Sequence, residues 1–187
     1  SYDEVAVLAR EVSLRMTARL DLVRIAPTRV ADIGCATGDG IRALQARYPQ
    51  ALPLAIDYAP AMLAVVARRA SWMERLRRRA PRCVAADVRS LPLSGGSLGL
   101  AWSNLMLHWL DDPLPAFGEL QRVLETGGLL MFSALGPDTL KELRGAGATT
   151  LRRFHDMHDL GDMLMAAGFA DPVMDMERIE LAYASPR

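Results

Sequence analysis

The sequence predicts an α/β fold in which a parallel sheet is covered by helices on both faces. Three observations predict it. Short unbroken apolar runs alternate with segments of helical period along the chain. The first of these runs empties into a glycine turn, "VADIGCATGDG", at residues 30–40. Successive runs close on Asp32, Asp57, Asp87 and Asn104. Polar groups therefore gather at the carboxyl ends of the strands, where open α/β sheets bind their ligands.

Val5, Leu8, Ala9, Val12, Met16, Leu20 and Val23 recur at helical spacing, which predicts a helix over residues 3–24, ended by Pro27. A strand at 29–33 and the glycine turn follow, then a helix at 41–48 closed by Pro49. "LPLAID" (52–57) reads as the second strand, and Pro60 suits the first turn of a helix over 61–70. "RCVAAD" (82–87) and "LGLAWSN" (98–104) are the third and fourth strands. A helix at 114–125 is expected to break at Gly127-Gly128 before a fifth strand at 129–135. A helix at 158–167 stops at Gly168, and the partial alternation of "PVMDMERIELAY" (172–183) predicts a sixth strand.

A chain of 187 residues, 51% of them hydrophobic, suits one domain with a full core. No apolar run approaches the roughly 20 residues that cross a bilayer, so no membrane role is expected. A net charge of zero gives no overall attraction to nucleic acid. Cys35 and Cys83 make no disulfide framework, which favours a reducing cytoplasm. The chain opens on serine, from which a trimmed start is expected. Arg68, Arg69, Arg75, Arg77, Arg78, Arg79 and Arg82 crowd one stretch against Glu74 alone. They form either a solvated helix face or a docking patch for an acidic partner.

The glycine turn does not suit a dinucleotide. Counted from Gly34, the three positions of the phosphate fingerprint hold Gly34, Ala36 and Asp39, and Asp32 at the mouth repels phosphate. A cationic nucleoside without phosphate, S-adenosyl-L-methionine, fits better. Asp32 can receive its ammonium, while Gly34 and Gly38 let backbone pass close to the methionine portion. Asp57 can accept both ribose hydroxyls. Met62 can pack on the adenine, and Asp87 with the Val88 amide can read its edge. Asn104 closes the fourth strand beside the transferring methyl. Cys35 and Ala36 in the turn, and Tyr58 and Leu105 after their strands, are expected to line the same site. Each has a plainer use: Asp57 as a helix cap, Met62 in the core, Cys35 as a small packing residue. His155 and His158 lack a third ligand, so no metal is expected.

Taken together, "VADIGCATGDG", "LAIDYAPAML", "AADVRSLPL", "LAWSNLMLHW" and "LQRVLETGGLLMFSAL" resemble the motifs of class I S-adenosylmethionine-dependent methyltransferases over residues 28–136. Ala36 departs from the glycine usual there. The resemblance implies a Rossmann-like sheet of seven strands, of which this chain would hold six, with the seventh and the substrate lid missing. It divides one domain, 1–187, into an N-terminal helix (1–27), a cofactor-binding core (28–136) and a truncated C-terminal part (137–187). "SLPLSGGSLGLAWSNLMLHWLDD", "FSALGPDTLKELR" and "FHDMHDLGDMLMAAGFADPVMDME" are similar to the malonyl-[acyl-carrier protein] O-methyltransferases of biotin synthesis. That resemblance implies methylation of the free carboxylate of a malonyl thioester on acyl carrier protein, with S-adenosyl-L-homocysteine as product. Tyr2 resembles a tyrosine that faces the acceptor in that family. Arg153 is expected to grip the substrate carboxylate, with Arg152 as its competitor, and His108 and Trp109 to wall the pocket. The carrier would dock on the arginine stretch at 68–82 or on a face near Arg144, Arg152 and Arg153. A complex I assembly relative of the arginine-hydroxylase type shares much of the later stretch. That reading, and a small-molecule methyltransferase, stand as alternatives.

Overall fold

The computed structural model describes residues 6–77, 79–147 and 152–180. Its centre is a five-stranded parallel sheet in the order β3-β2-β1-β4-β5. The strands are β1 (Arg29–Ile33), β2 (Leu52–Asp57), β3 (Arg82–Ala85), β4 (Leu98–Asn104) and β5 (Leu124–Ser133). Strand order reverses beside β1, so Asp32 sits opposite Ala55 on one side and Trp102 on the other.

Alternating side chains send each central strand to two cores. Ala31, Ile33, Leu54 and Ile56 face one layer, where they meet Phe117 and Leu120 of α5 (Leu114–Val123) and Leu160 and Leu164 of α7 (Met157–Ala166). Val30 and Ala55 face the other layer, with Leu100 and Trp102 of β4. That layer is built from Met16 of α1 (Val7–Arg19), Ile41 and Leu44 of α2 (Asp39–Arg47), and Leu63 and Val66 of α3 (Pro60–Arg69). Leu20 begins a 3-10 turn that extends α1 to Leu22, where one continuous α-helix was expected.

Two short helices were not anticipated. α4 (Trp72–Leu76) starts from a capping box: the Ser71 hydroxyl accepts from the Glu74 amide at 3.2 Å, and the Ser71 amide donates to Glu74 Oε2 at 2.6 Å. α6 (Lys141–Gly145) follows β5.

The glycine pair at 127–128 lies inside β5, not before it. Leu98 pairs with Leu124, but Leu100 pairs with Leu129, so six residues of β5 span what three of β4 do and the surplus bulges out. Gly127 takes φ 79°, and a Cβ on Gly128 would sit 2.9 Å and 3.0 Å from the carbonyl oxygens of Glu125 and Leu98. The turn chemistry was read correctly and its place was not.

The sixth strand is also corrected. Residues 172–180 form no strand, and 181–183 lie outside the described residues. Val173 and Met176 are 91% and 66% exposed, so the alternation has no ladder to serve. Side chains hold this stretch instead. Arg19 bonds Asp175 at 2.6 Å and also Glu177, and Arg15 bonds Glu177 at 2.7 Å. No helix among the described residues is long and apolar enough to cross a membrane.

Candidate functional site

A cavity of about 800 Å³ opens at the carboxyl ends of β1, β2 and β4. Eleven of the twelve residues expected around a cofactor line it: Asp32, Gly34, Cys35, Ala36, Asp57, Tyr58, Met62, Asp87, Val88, Asn104 and Leu105. Gly38 does not. It caps α2 at φ 94°, and a Cβ there would come within 2.9 Å of Val66, so it shapes the turn without lining the cavity.

The turn after β1 is pinned from β2. Gly34 and Cys35 both donate their amides to the Ile56 carbonyl, at 2.8 Å and 3.0 Å. Asp57 spends each carboxylate oxygen once, accepting from the Ala36 amide and from the Ala59 amide, both at 2.8 Å. A carboxylate has about four acceptor sites, so Asp57 can bond a further diol. A Cβ on Gly34 would collide with Met106, which closes in from beyond β4.

Ala36 takes φ 45° and Leu105 φ 50°, left-handed conformations that side chains rarely adopt. Both line the cavity, which is where stored backbone strain tends to collect. Ala36→Gly should therefore stabilise the protein by up to about 1 kcal/mol, the relief of the left-handed penalty less glycine's extra entropy cost. Chemical denaturation measures this, and a loss of stability would show that the turn holds the methyl without strain.

Asp32 is 2% exposed at the centre of the switch in strand order. Burial pushes its carboxyl up to about 7; the Ile41 amide that it accepts from opposes this, and the charges of Asp57 and Asp39 add to it. Among the described residues no cation is paired with it. Nearby, the Trp102 indole N–H is buried without a partner among the described residues. Burial and the charges of Asp32 and Asp57 push the Cys35 thiol up, which leaves it a packing residue and no nucleophile.

Asp87 lies beyond the end of β3 and is held by Arg89. The guanidinium bonds its two oxygens at 2.6–3.2 Å and the Arg89 amide adds a bond of 2.9 Å, which brings the carboxyl down to about 2. The Asn104 amide is also occupied. It donates to the Ala9 carbonyl at 2.7 Å and accepts from the Ser133 hydroxyl at 2.9 Å. Asn104 thus ties α1 to the sheet.

α1 forms the roof. Ala6, Ala9, Arg10, Ser13, Leu14 and Thr17 face the cavity, one stripe at helical spacing. The apolar stripe expected from the sequence put Ala9 together with Val12, Met16 and Leu20, but only the last three face the core. The small residues at 6, 9, 13 and 17 were the available signal for a face lying over a ligand.

Of the expected substrate residues, Tyr2 lies outside the described residues. Arg153 is exposed and does not line the cavity, because the segment carrying it leads into α7, which packs on α5. Its competitor Arg152 donates to the Trp109 carbonyl at 3.0 Å and to Asp111. Trp109 does line the cavity. His108 lies behind it, packed on Trp109 and edge-on to Phe154, with Nδ1 buried and unpartnered among the described residues. Burial, with Arg152 nearby, brings His108 down to about 4. Among the described residues no three His, Cys, Asp or Glu side chains are grouped to hold a metal ion.

The cavity and its motifs have counterparts elsewhere. A malonyl-[acyl-carrier protein] O-methyltransferase of Laribacter hongkongensis is 53% identical, over 98% of this chain and 64% of that protein. One of the same name from Gallionella capsiferriformans is 50% identical, over 100% of this chain and 66% of that protein. The chain thus spans a little under two thirds of the length of these relatives. Among solved structures, a possible histamine N-methyltransferase of Thermotoga maritima superposes with a TM-score of 0.67 at 19% identity, covering 91% of this chain and 76% of that one. A putative S-adenosylmethionine-dependent methyltransferase of Methanococcus maripaludis gives 0.69 at 18% identity, covering 91% and 83%. At such identities the likeness establishes the Rossmann-like methyltransferase fold alone. The family model described as a methyltransferase domain matches residues 31–132, more than half of the sequence, and the chain belongs to that family.

Proposed function

We propose that this chain is the cofactor-binding part of an S-adenosylmethionine-dependent O-methyltransferase that methylates the free carboxylate of malonyl on acyl carrier protein, a step of biotin synthesis. The observation that carries the reading is the cavity itself, roofed by α1 and bordered by Asp32, Asp57 and Asp87. A buried carboxylate with no cation paired to it among the described residues, flanked by two more acids, suits a cationic ligand and repels a pyrophosphate. The choice of acceptor is supported by relatives of that name at 53% and 50% identity along nearly all of this chain.

In this reading Asp32 faces the ammonium of the cofactor. Asp57 holds the ribose diol, and Met62, Asp87 and the Val88 amide surround the adenine. Bound there, the cofactor supplies an electrophilic methyl group. The acceptor carboxylate is already ionised at pH 7, since such groups titrate near ~4, so no general base is required. His108, kept neutral by its burial, serves as a wall behind Trp109. The protein contributes alignment, which supplies roughly 7–11 kcal/mol in well-oriented systems, and exclusion of water beneath α1.

The test is transfer of labelled methyl to malonyl carrier protein by the full-length protein. Label should appear on the malonyl carrier and not on the unloaded carrier. Cofactor binding without transfer would move the reading to a methyltransferase-fold assembly factor.

A further inference from the structure

We infer that Arg10, on the inner face of α1, is the cavity's carboxylate grip. This deepens the methyl-transfer reading and rests on it, because both small molecules of that reading carry a carboxylate: the cofactor at its methionyl end, the acceptor on its malonyl group.

The cavity is otherwise hostile to anions. Asp32, Asp39, Asp57 and Asp87 all line it, so a carboxylate entering it needs a cation. Among the described residues only two guanidiniums line it, Arg10 and Arg89. Arg89 is committed, with Nε and Nη2 both bonded to the Asp87 carboxylate. The arginines expected to do this work are committed elsewhere or off the cavity. Arg152 is bound to Trp109 and Asp111, and Arg153 is outside the lining; Arg144, expected only on a docking face, is bound to the carbonyls of Pro137 and Arg152.

Arg10 differs from all of these. Its one side-chain bond among the described residues runs from Nε to Asp39 Oδ2 at 3.3 Å, long for a charge-assisted bond, which usually measures about 2.7–2.9 Å. Its terminal nitrogens, the two that form the outer end of the fork, have no partner among the described residues. Asp39 is held on its other oxygen by Arg69 at 3.0 Å, so a turn of Arg10 toward a ligand does not strand that acid. The side chain is 48% exposed, free to swing between Asp39 and the cavity. A planar fork of this kind takes a carboxylate through two parallel bonds.

The experiment uses the full-length protein, first unsubstituted. Calorimetry measures Kd for S-adenosylmethionine and for its decarboxylated analogue, and label transfer measures KM for malonyl carrier protein. Absence of both binding and transfer at this stage would sink the methyl-transfer reading before Arg10 is touched. Arg10→Ala, with Arg10→Gln in reserve should the alanine variant unfold, should raise one of the two constants about ten- to hundredfold while Tm stays within experimental error. Arg10→Lys should recover part of the loss. If the cofactor supplies the carboxylate, the unsubstituted protein binds the decarboxylated analogue weakly, and Arg10→Ala ceases to distinguish the two. If the acceptor supplies it, the cofactor Kd stays within about twofold and KM for the carrier rises. Unchanged Kd and KM in a folded Arg10→Ala protein would overturn the inference and leave Arg10 as a tie between α1 and α2.

Discussion

Asp32→Asn should give a more stable protein that binds S-adenosylmethionine less well. The carboxyl of Asp32 titrates near 7 in the fold against 3.8 for an ordinary aspartate. A folded value above the unfolded one means that the native state holds its proton more tightly. The stability contributed by the protonated form is complete below about pH 4 and is lost as pH rises through about 7. Over three pH units this amounts to roughly 2–4 kcal/mol at pH 8, from 1.36 kcal/mol per unit. Asparagine has no charge to bury, and its side-chain oxygen can still accept from the Ile41 amide. The difference between the two proteins in urea denaturation should therefore be small at pH 4 and widen up to pH 7–8. A difference flat across that range would show that Asp32 is not strained by its burial. The cofactor measurement runs the other way. An ammonium lodged against Asp32 favours its ionised form, so binding by the unsubstituted protein should release a proton below pH 7, and the asparagine variant should release none. Stability and function then oppose one another at one residue, as they often do in ligand sites.

Asp57→Ala should weaken cofactor binding by about 1.5–3 kcal/mol, the usual scale for a charged hydrogen bond, which is about ten- to 150-fold in Kd. It should also cost stability, because two amides lose their acceptor at once: Ala36 at the strained turn and Ala59 ahead of α3. Each part-buried donor left unpaired costs about 1–3 kcal/mol. Calorimetry and denaturation separate the two losses. Unchanged cofactor affinity in a folded Asp57→Ala protein would remove this residue from the ribose site.

Strands β1, β2 and β4 could be read to the residue because each is an unbroken apolar run ended by a polar group, a pattern that only a doubly covered strand demands. The ring of acids followed from those ends. What escaped the sequence depended on facts that are not local. The glycines at 127–128 read as a turn, yet whether they precede a strand or bulge within one is decided by the register against β4. The alternation of 172–180 reads as a strand, yet pairing needs a neighbour, and here Asp175 and Glu177 turn to Arg19 and Arg15. Arg153 stood beside a distinctive motif, but proximity in sequence places nothing over a cavity. Arg10 was hidden because the roofing face of α1 is made of small and polar residues, and such a face acquires meaning only once the helix has a place in the fold.

The roof has a consequence for biogenesis. α1 leaves the ribosome before the residues that anchor it, and those anchors arrive late. The acceptor pairs that clasp Arg15 and Arg19 lie 156–162 positions downstream, and Asn104 lies 95 positions after Ala9. Until those are synthesised the helix rests on its apolar partners alone, Val30, Ile41 and Leu44 among them, so the polar clasps that seal the chamber can close only after the sheet beneath has been made.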